Sequence, residues 1–207
     1  MGLWTSRGRW MVAAAAALAV AAGCSSRERD VLARSGERLQ EAGALADRVG
    51  RLPVTDAAAL PRTGTARYDG FAALRLEPPT SGPGGGASVV GRADLRADFG
   101  RNTIGGELND FIGVVDGRPV TDFSGSLAVT EGRIARGPAT GWQADVEGRL
   151  RGGRDRISVD GDLIGVFHTD GRRPAAAVSA ITGPRTDLRL NGQRREGGIV
   201  VSAERPR

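Results

Sequence analysis

The property that most constrains this chain is an alternation of period two. Ala93, Leu95, Ala97 and Phe99 are separated by Asp94, Arg96 and Asp98. Successive side chains of a strand point to opposite faces, so this spelling sets an apolar face against a core and a charged face in water. The texture recurs from Thr65 onward in short runs punctuated by glycine and turn dipeptides, which reads as antiparallel β structure. Eight strands are expected, over 65–76, 89–99, 103–111, 120–130, 142–150, 156–167, 175–181 and 198–203. Eight strands close a small barrel, and closure removes the free edges that invite aggregation.

The connections agree. Asp116-Gly117, Asp170-Gly171 and Asn191-Gly192 supply residues that accept the positive φ of tight turns. The stretch 77–86, EPPTSGPGGG, carries no period and is expected to be a mobile loop between the first two strands. Ahead of the strands, 27–52 has helical spacing. Val31, Leu32, Leu39, Ala42, Leu45, Val49 and Leu52 fall near one face, so an amphipathic helix is expected there. Gly36 and Gly43 weaken it by about 1 kcal/mol each against alanine. It is therefore either a helix docked on the domain or a partly ordered tether. The fold class is mainly β: an eight-stranded antiparallel up-and-down barrel preceded by an N-terminal amphipathic helix.

The first residues, MGLWTSRGRWMVAAAAALAVAAGC, carry the three parts of an export signal. Arg7 and Arg9 supply charge, 11–22 an apolar run, and small residues precede Cys24. The run of about 12 residues is shorter than the roughly 18 a permanent membrane helix needs. Ala21, Ala22, Gly23 and Cys24 resemble the lipobox of bacterial lipoproteins, with Ala21 in place of the usual leucine. That resemblance implies cleavage before Cys24 and a diacylglyceryl group on its sulfur. Ser25 follows where an aspartate favours inner-membrane retention, so the resemblance implies the outer membrane if the cell has two. Three regions are expected: a signal peptide over 1–23, a lipidated tether with the helix over 24–62, and a barrel over 63–207. Cys24 is the single cysteine, so no intrachain disulfide can brace the domain.

The net charge of +5 does not point to nucleic acid. All 29 basic residues are arginine, the 24 carboxylates are interspersed with them along the chain, and no basic run is accompanied by stacking aromatics.

The strand motifs resemble a family. Tyr68, Gly70 and Phe71, then Ala97, Asp98 and Phe99, then Thr103, Ile104, Gly106 and Leu108 are similar to the first three strands of the barrel domain of transferrin-binding protein B and related surface lipoproteins. Phe123-Ser124-Gly125, the segment 160–183 and the closing 197–205 continue the likeness. Gly165-Val166-Phe167 stands where members carry a longer aromatic-glycine-proline motif, and the proline and acidic positions are unmatched. The resemblance implies a single-barrel surface lipoprotein without catalytic activity. Short loops and a single barrel argue against transferrin itself as the partner.

Catalytic chemistry is scarce. His168 is the only histidine. With Ser179 and Asp170 it spells a conceivable triad, but no motif positions a nucleophile, and a solvent-facing histidine near a turn is the expectation. No zinc set exists, and Asp155, Asp160 and Asp162 lack calcium-loop spacing and are expected to face solvent on a hairpin. Gly84 to Gly86 has no lysine after it and is not a phosphate loop. No cofactor is expected. Trp142, Phe111, Phe123 and Phe167 are expected in the core. Binding is the expected role, with the membrane reached through lipid and a protein or small ligand as partner. Recognition is assigned to two loops: Glu77, Pro78 and Pro79 in one, and His168, Asp170, Arg172 and Arg173 in the other. The alternative is a structural envelope component, with the barrel as spacer and the helix as the interaction element.

Overall fold

A computed structural model describes residues 26–80, 84–136 and 141–206. The signal segment and Cys24 lie outside them, as does the middle of the 77–86 stretch. The helix α1 spans Ser26–Arg51. Eleven strands follow among the described residues: β1 Thr65–Leu76, β2 Ala87–Asp98, β3 Thr103–Val115, β4 Arg118–Asp122, β5 Leu127–Ala135, β6 Gly141–Gly152, β7 Asp155–His168, β8 Ala177–Thr182, β9 Asp187–Leu190, β10 Gln193–Arg194 and β11 Gly197–Glu204.

Eight of them close on themselves. Antiparallel pairing runs β1-β2-β3-β5-β6-β7-β8-β11 and returns to β1 through Asp69↔Glu204 to Leu76↔Gly197. This is the up-and-down barrel that the alternation predicts. Inward positions form one continuous apolar cluster, with Tyr68, Leu95, Phe111, Leu127, Leu150 and Phe167 fully buried. Trp142 and Phe123 are buried with them, so the large side chains fill the interior. The indole N–H of Trp142 finds no acceptor among the described residues.

Two strand expectations are corrected. The run 120–130 is two strands, β4 and β5, because the chain breaks at Phe123-Ser124-Gly125. Gly125 has φ +95°, and a Cβ there would meet the Arg149 carbonyl. Phe123 N–H donates to Phe111 O (2.8 Å), and Ser124 bridges to Arg151. The segment thus crosses from β3 to β6 instead of continuing straight. β9 and β10 were not expected, being too short to show a period. Their Asn191-Gly192 turn, with φ +53° and +83°, is the hairpin the dipeptide signals. Gly70 shows what the strand glycines do: a Cβ there would be driven into the backbone of Ser202 and Ala203 on β11.

α1 packs on the outside of the wall. Leu45 and Val49 are buried against Ala177, with Leu52 and Phe71 alongside, and Ala42 meets Val90 and Ile112. Ser35, Ala42, Leu45, Val49 and Leu52 are the barrel side, at the three- and four-residue spacing of one helix face. Leu39 is not on it and is 45% exposed, which corrects its place in the expected stripe. Along the N-terminal half the contact is ionic instead, through Arg38 with Asp110 (2.9 Å) and Arg34 with Asp122 (3.9 Å).

Candidate functional site

The barrel has two rims. At one, the helix-end rim, α1 finishes beside the end of β11, where Arg48 pairs with Glu204 at 3.4 Å. The turn after β2, the loop between β7 and β8, and the connector from Leu52 to Gly64 lie there too. At the other, the hairpin rim, lie the 77–86 loop, the β3–β4 and β6–β7 turns and the β9–β10 hairpin. The two loops assigned to recognition therefore sit at opposite ends and cannot build one site.

His168 ends β7 on the outer face and is 6% exposed, which corrects the solvent-facing expectation. The connector covers it: Val54 forms a bridge to His168, Thr55 N–H donates to Phe167 O (2.8 Å), and Thr169 N–H donates to Pro53 O (3.0 Å). Its Nδ1 lies 3.0 Å from Leu52 O, an acceptor only, so Nδ1 carries the proton. In the neutral ring Nε2 then accepts from the Ser179 hydroxyl at 2.8 Å. Two members of the conceivable triad meet, but the third does not. Asp170 turns into its own loop, where Oδ1 accepts from Arg172 N–H (2.9 Å) and Arg173 N–H (2.6 Å). Those backbone donors hold its carboxyl down at about 2. A base oriented by a carbonyl and roofed by backbone has no approach for a substrate, so His168 is a staple between the connector and β7.

Asp155 and Asp162 are also buried, against expectation, whereas Asp160 is exposed. Asp162 accepts from Gln143 Nε2 (3.1 Å) and Arg185 N–H (3.3 Å), and Thr186 bonds to its backbone, which pins the 183–186 loop. Asp155 takes Asn191 Nδ2 (3.0 Å) and Arg118 (3.3 Å). Asp155 and Asp162 each have their own protein partners, and the three carboxylates form no cluster that could hold a metal among the described residues.

A groove of about 360 Å³ opens at the helix-end rim. Arg48, Arg51 and Leu52 come from the end of α1, Asp170 and Arg173 from the β7–β8 loop, and Glu204 and Arg205 from the end of β11, over a floor of Ala176 and Ala177. Arg48 pairs with Glu204 and Arg173 with Asp170 (3.1 Å). Arg51 and Arg205 have no carboxylate within 4.0 Å among the described residues, so the groove carries unneutralised positive charge. Of the residues expected to bind, Asp170 and Arg173 line it, Arg172 is exposed beside it, and His168 is sealed beneath the connector. Arg51 and Arg205 were not expected, since no sequence period links a helix end to a strand end.

The 77–86 loop is tied at both ends. Glu77 N–H donates to Glu196 O (2.8 Å), and Asp116 accepts from Gly85 N–H (2.8 Å) while donating its own N–H to Gly86 O. Pro78 is exposed, and Glu77 and Pro79 are half-buried.

The sequence matches no family model and no curated protein. Among solved structures, a double mutant of the vaccine antigen transferrin-binding protein B from Haemophilus parasuis is similar over 73% of this chain, with 16% identity and a TM-score of 0.42. This chain spans 28% of that one. Likeness at that level transfers neither ligand nor partner.

Proposed function

We propose that this chain is a non-catalytic envelope lipoprotein, anchored by lipid on Cys24 at the outer membrane, whose barrel binds a protein or small ligand at the helix-end rim. The supporting observation is the groove, in which two arginines without carboxylate partners stand over an apolar floor between three separately anchored segments. Recognition loops held on a rigid sheet are the usual place for such a site. Among the described residues no helix is long and apolar enough to cross a membrane; the lipobox-like Ala21 to Cys24 supports attachment through the N-terminal segment. The spacer alternative uses the helix as the interaction element, and Leu45 and Val49 in its C-terminal half are already buried against Ala177 of the barrel.

Two measurements test the reading. Mass spectrometry of the mature N-terminus should find a diacylglyceryl group on Cys24, and an unmodified thiol would end the lipoprotein assignment. Pull-downs from envelope extract should enrich a partner that the Arg51→Ser/Arg205→Ser chain loses. Enrichment indifferent to that change, or none, would end the groove assignment.

A further inference from the structure

The β6–β7 hairpin sorts its outward charges by height. In register across the two strands, Asp145 faces Asp162, Glu147 faces Asp160, Arg149 faces Ser158 and Arg151 faces Arg156, with Arg154 in the turn. Like charges directly opposite one another destabilise a sheet; Asp162 is held by Gln143 and Arg185, whereas Arg151 and Arg156 face each other with no carboxylate between them among the described residues. Interspersion along the sequence gives way here to segregation in space. The chain runs acid, acid, arginine, arginine, turn, arginine, acid, acid, and folding it at Gly153-Arg154 lays acid on acid and Arg151 on Arg156.

The four arginines at the tip are exposed, and none has a carboxylate within 4.0 Å among the described residues. The one acid among them, Asp155, is buried and already held by Arg118 and Asn191. Together they line a concave surface of about 610 Å³ at the hairpin rim.

The direction of α1 says what lies below that rim. From Arg48 at the helix-end rim the helix descends the wall to Arg34, which pairs with Asp122, level with Ile112 near the hairpin-rim end of β3. Eight further residues reach Ser26, about 12 Å at the helical rise. Cys24 is two residues beyond. The hairpin tip is a neighbour on the same side: β4 touches it through Arg118 and Asp155, and Ser124 bridges to Arg151.

We propose that Arg149, Arg151, Arg154 and Arg156 seat the barrel, hairpin rim down, on the anionic lipid headgroups of the membrane that holds the N-terminus. This rests on the anchored reading above. Arginine forks match phosphate oxygens, and each basic side chain near an anionic surface shifts the seated-to-unseated ratio on the order of fivefold. The acidic rows above the tip then stand clear of the surface, and the groove at the helix-end rim faces away from it.

The test uses the full chain as cells process it, incorporated into vesicles of phosphatidylcholine with or without phosphatidylglycerol. A fluorophore placed at exposed Gln193, on the hairpin rim, reports contact with headgroup-borne quenchers. Quenching should appear with phosphatidylglycerol and fade as salt shortens the screening length, and the seated-to-unseated ratio it reports should fall on the order of fivefold for each of the four Arg→Ser changes. Replacement of all four by lysine should keep it, as should Arg67→Ser/Arg96→Ser near the other rim. Equal quenching on both vesicle types, or quenching that survives the fourfold serine change, overturns the proposal. Flotation with vesicles at high salt reports the anchor separately. A chain that floats only at low salt refutes the anchored reading, while the seating contact is still decided by the comparison between vesicle types.

Discussion

The two rims of the barrel put their polar groups to different uses. At the helix-end rim they join segments together. Arg136 donates to the carbonyls of Phe99 (3.0 Å) and Pro61 and to Asn102 Oδ1, tying the connector, the β2–β3 turn and the end of β5 into one lid. His168 and Ser179 fasten the same connector to β7. Beneath them Phe167 packs against Phe99 (ring centroids 5.7 Å apart) and Tyr68 (6.2 Å), and the Tyr68 hydroxyl donates to Ala175 O at 2.9 Å. At the hairpin rim Asp155 joins Arg118 to Asn191 and Asp116 holds Gly85, but the guanidinium groups of the four tip arginines have no carboxylate within 4.0 Å among the described residues. Both rims keep arginines without carboxylate partners among the described residues, Arg51 and Arg205 at one and the four tip residues at the other, and these charges can meet something outside the barrel.

The largest effect that separates the rims lies in the aromatic plug. Phe167→Ala removes the centre of the stack at a fully buried position and should cost about 3–5 kcal/mol in chemical denaturation. A loss under about 1 kcal/mol would mean the rim is held by its polar staples alone.

Tyr68 gives a smaller and more specific readout. It is the chain's only tyrosine, so the alkaline rise in tyrosinate absorbance reports this residue alone. Burial pushes its pKa up, because the charged form cannot be solvated inside the barrel. A folded pKa above the unfolded value of about 10 means its contribution is fully present below that pH and is lost as pH rises past it. Tyr68→Phe should cost about 1 kcal/mol at neutral pH through the lost bond to Ala175 O. It should also flatten the fall of stability above about pH 10. A tyrosinate titrating at the unperturbed value in the folded protein would break this account.

Much of the fold was legible because alternation is a local signal. β1 runs over the expected residues, and β6, β7 and β11 extend theirs by only one or two at either end. What escaped was set by tertiary contact. The break at Gly125 exists because β6 passes close by, and Leu39 is exposed because the wall meets the helix along Ala42, Leu45 and Val49 instead. His168 looked like a turn residue because it ends a strand beside Asp170-Gly171, and its burial comes from a connector more than a hundred residues earlier in the chain. The groove was legible only in part. Asp170 and Arg173 belong to an irregular loop that composition marks, whereas Arg51 and Arg205 join them only after the barrel closes. The mirror order of charge about Gly153-Arg154 was in the sequence throughout, but it acquires meaning only once the strands are known to pair there.

The smallest effect is the one that most sharpens the contrast between the rims. If the tip arginines do no structural work, Arg151→Ser should not weaken the isolated protein in detergent. Arg151 faces Arg156 in register, so removing one of two like charges relieves repulsion, and the stability should rise by a few tenths of a kcal/mol at low salt. The gain should shrink as salt is added, since both side chains are exposed and screened. The neighbouring contacts stay intact, because Ser124 and Arg151 meet through backbone N–H and carbonyl groups at 2.8 Å and do not need the guanidinium. A loss of more than about 1 kcal/mol in salt-dependent denaturation would show that the arginine has a structural partner. The hairpin rim would then close the barrel as the helix-end rim does, and its charge would no longer call for an anionic surface.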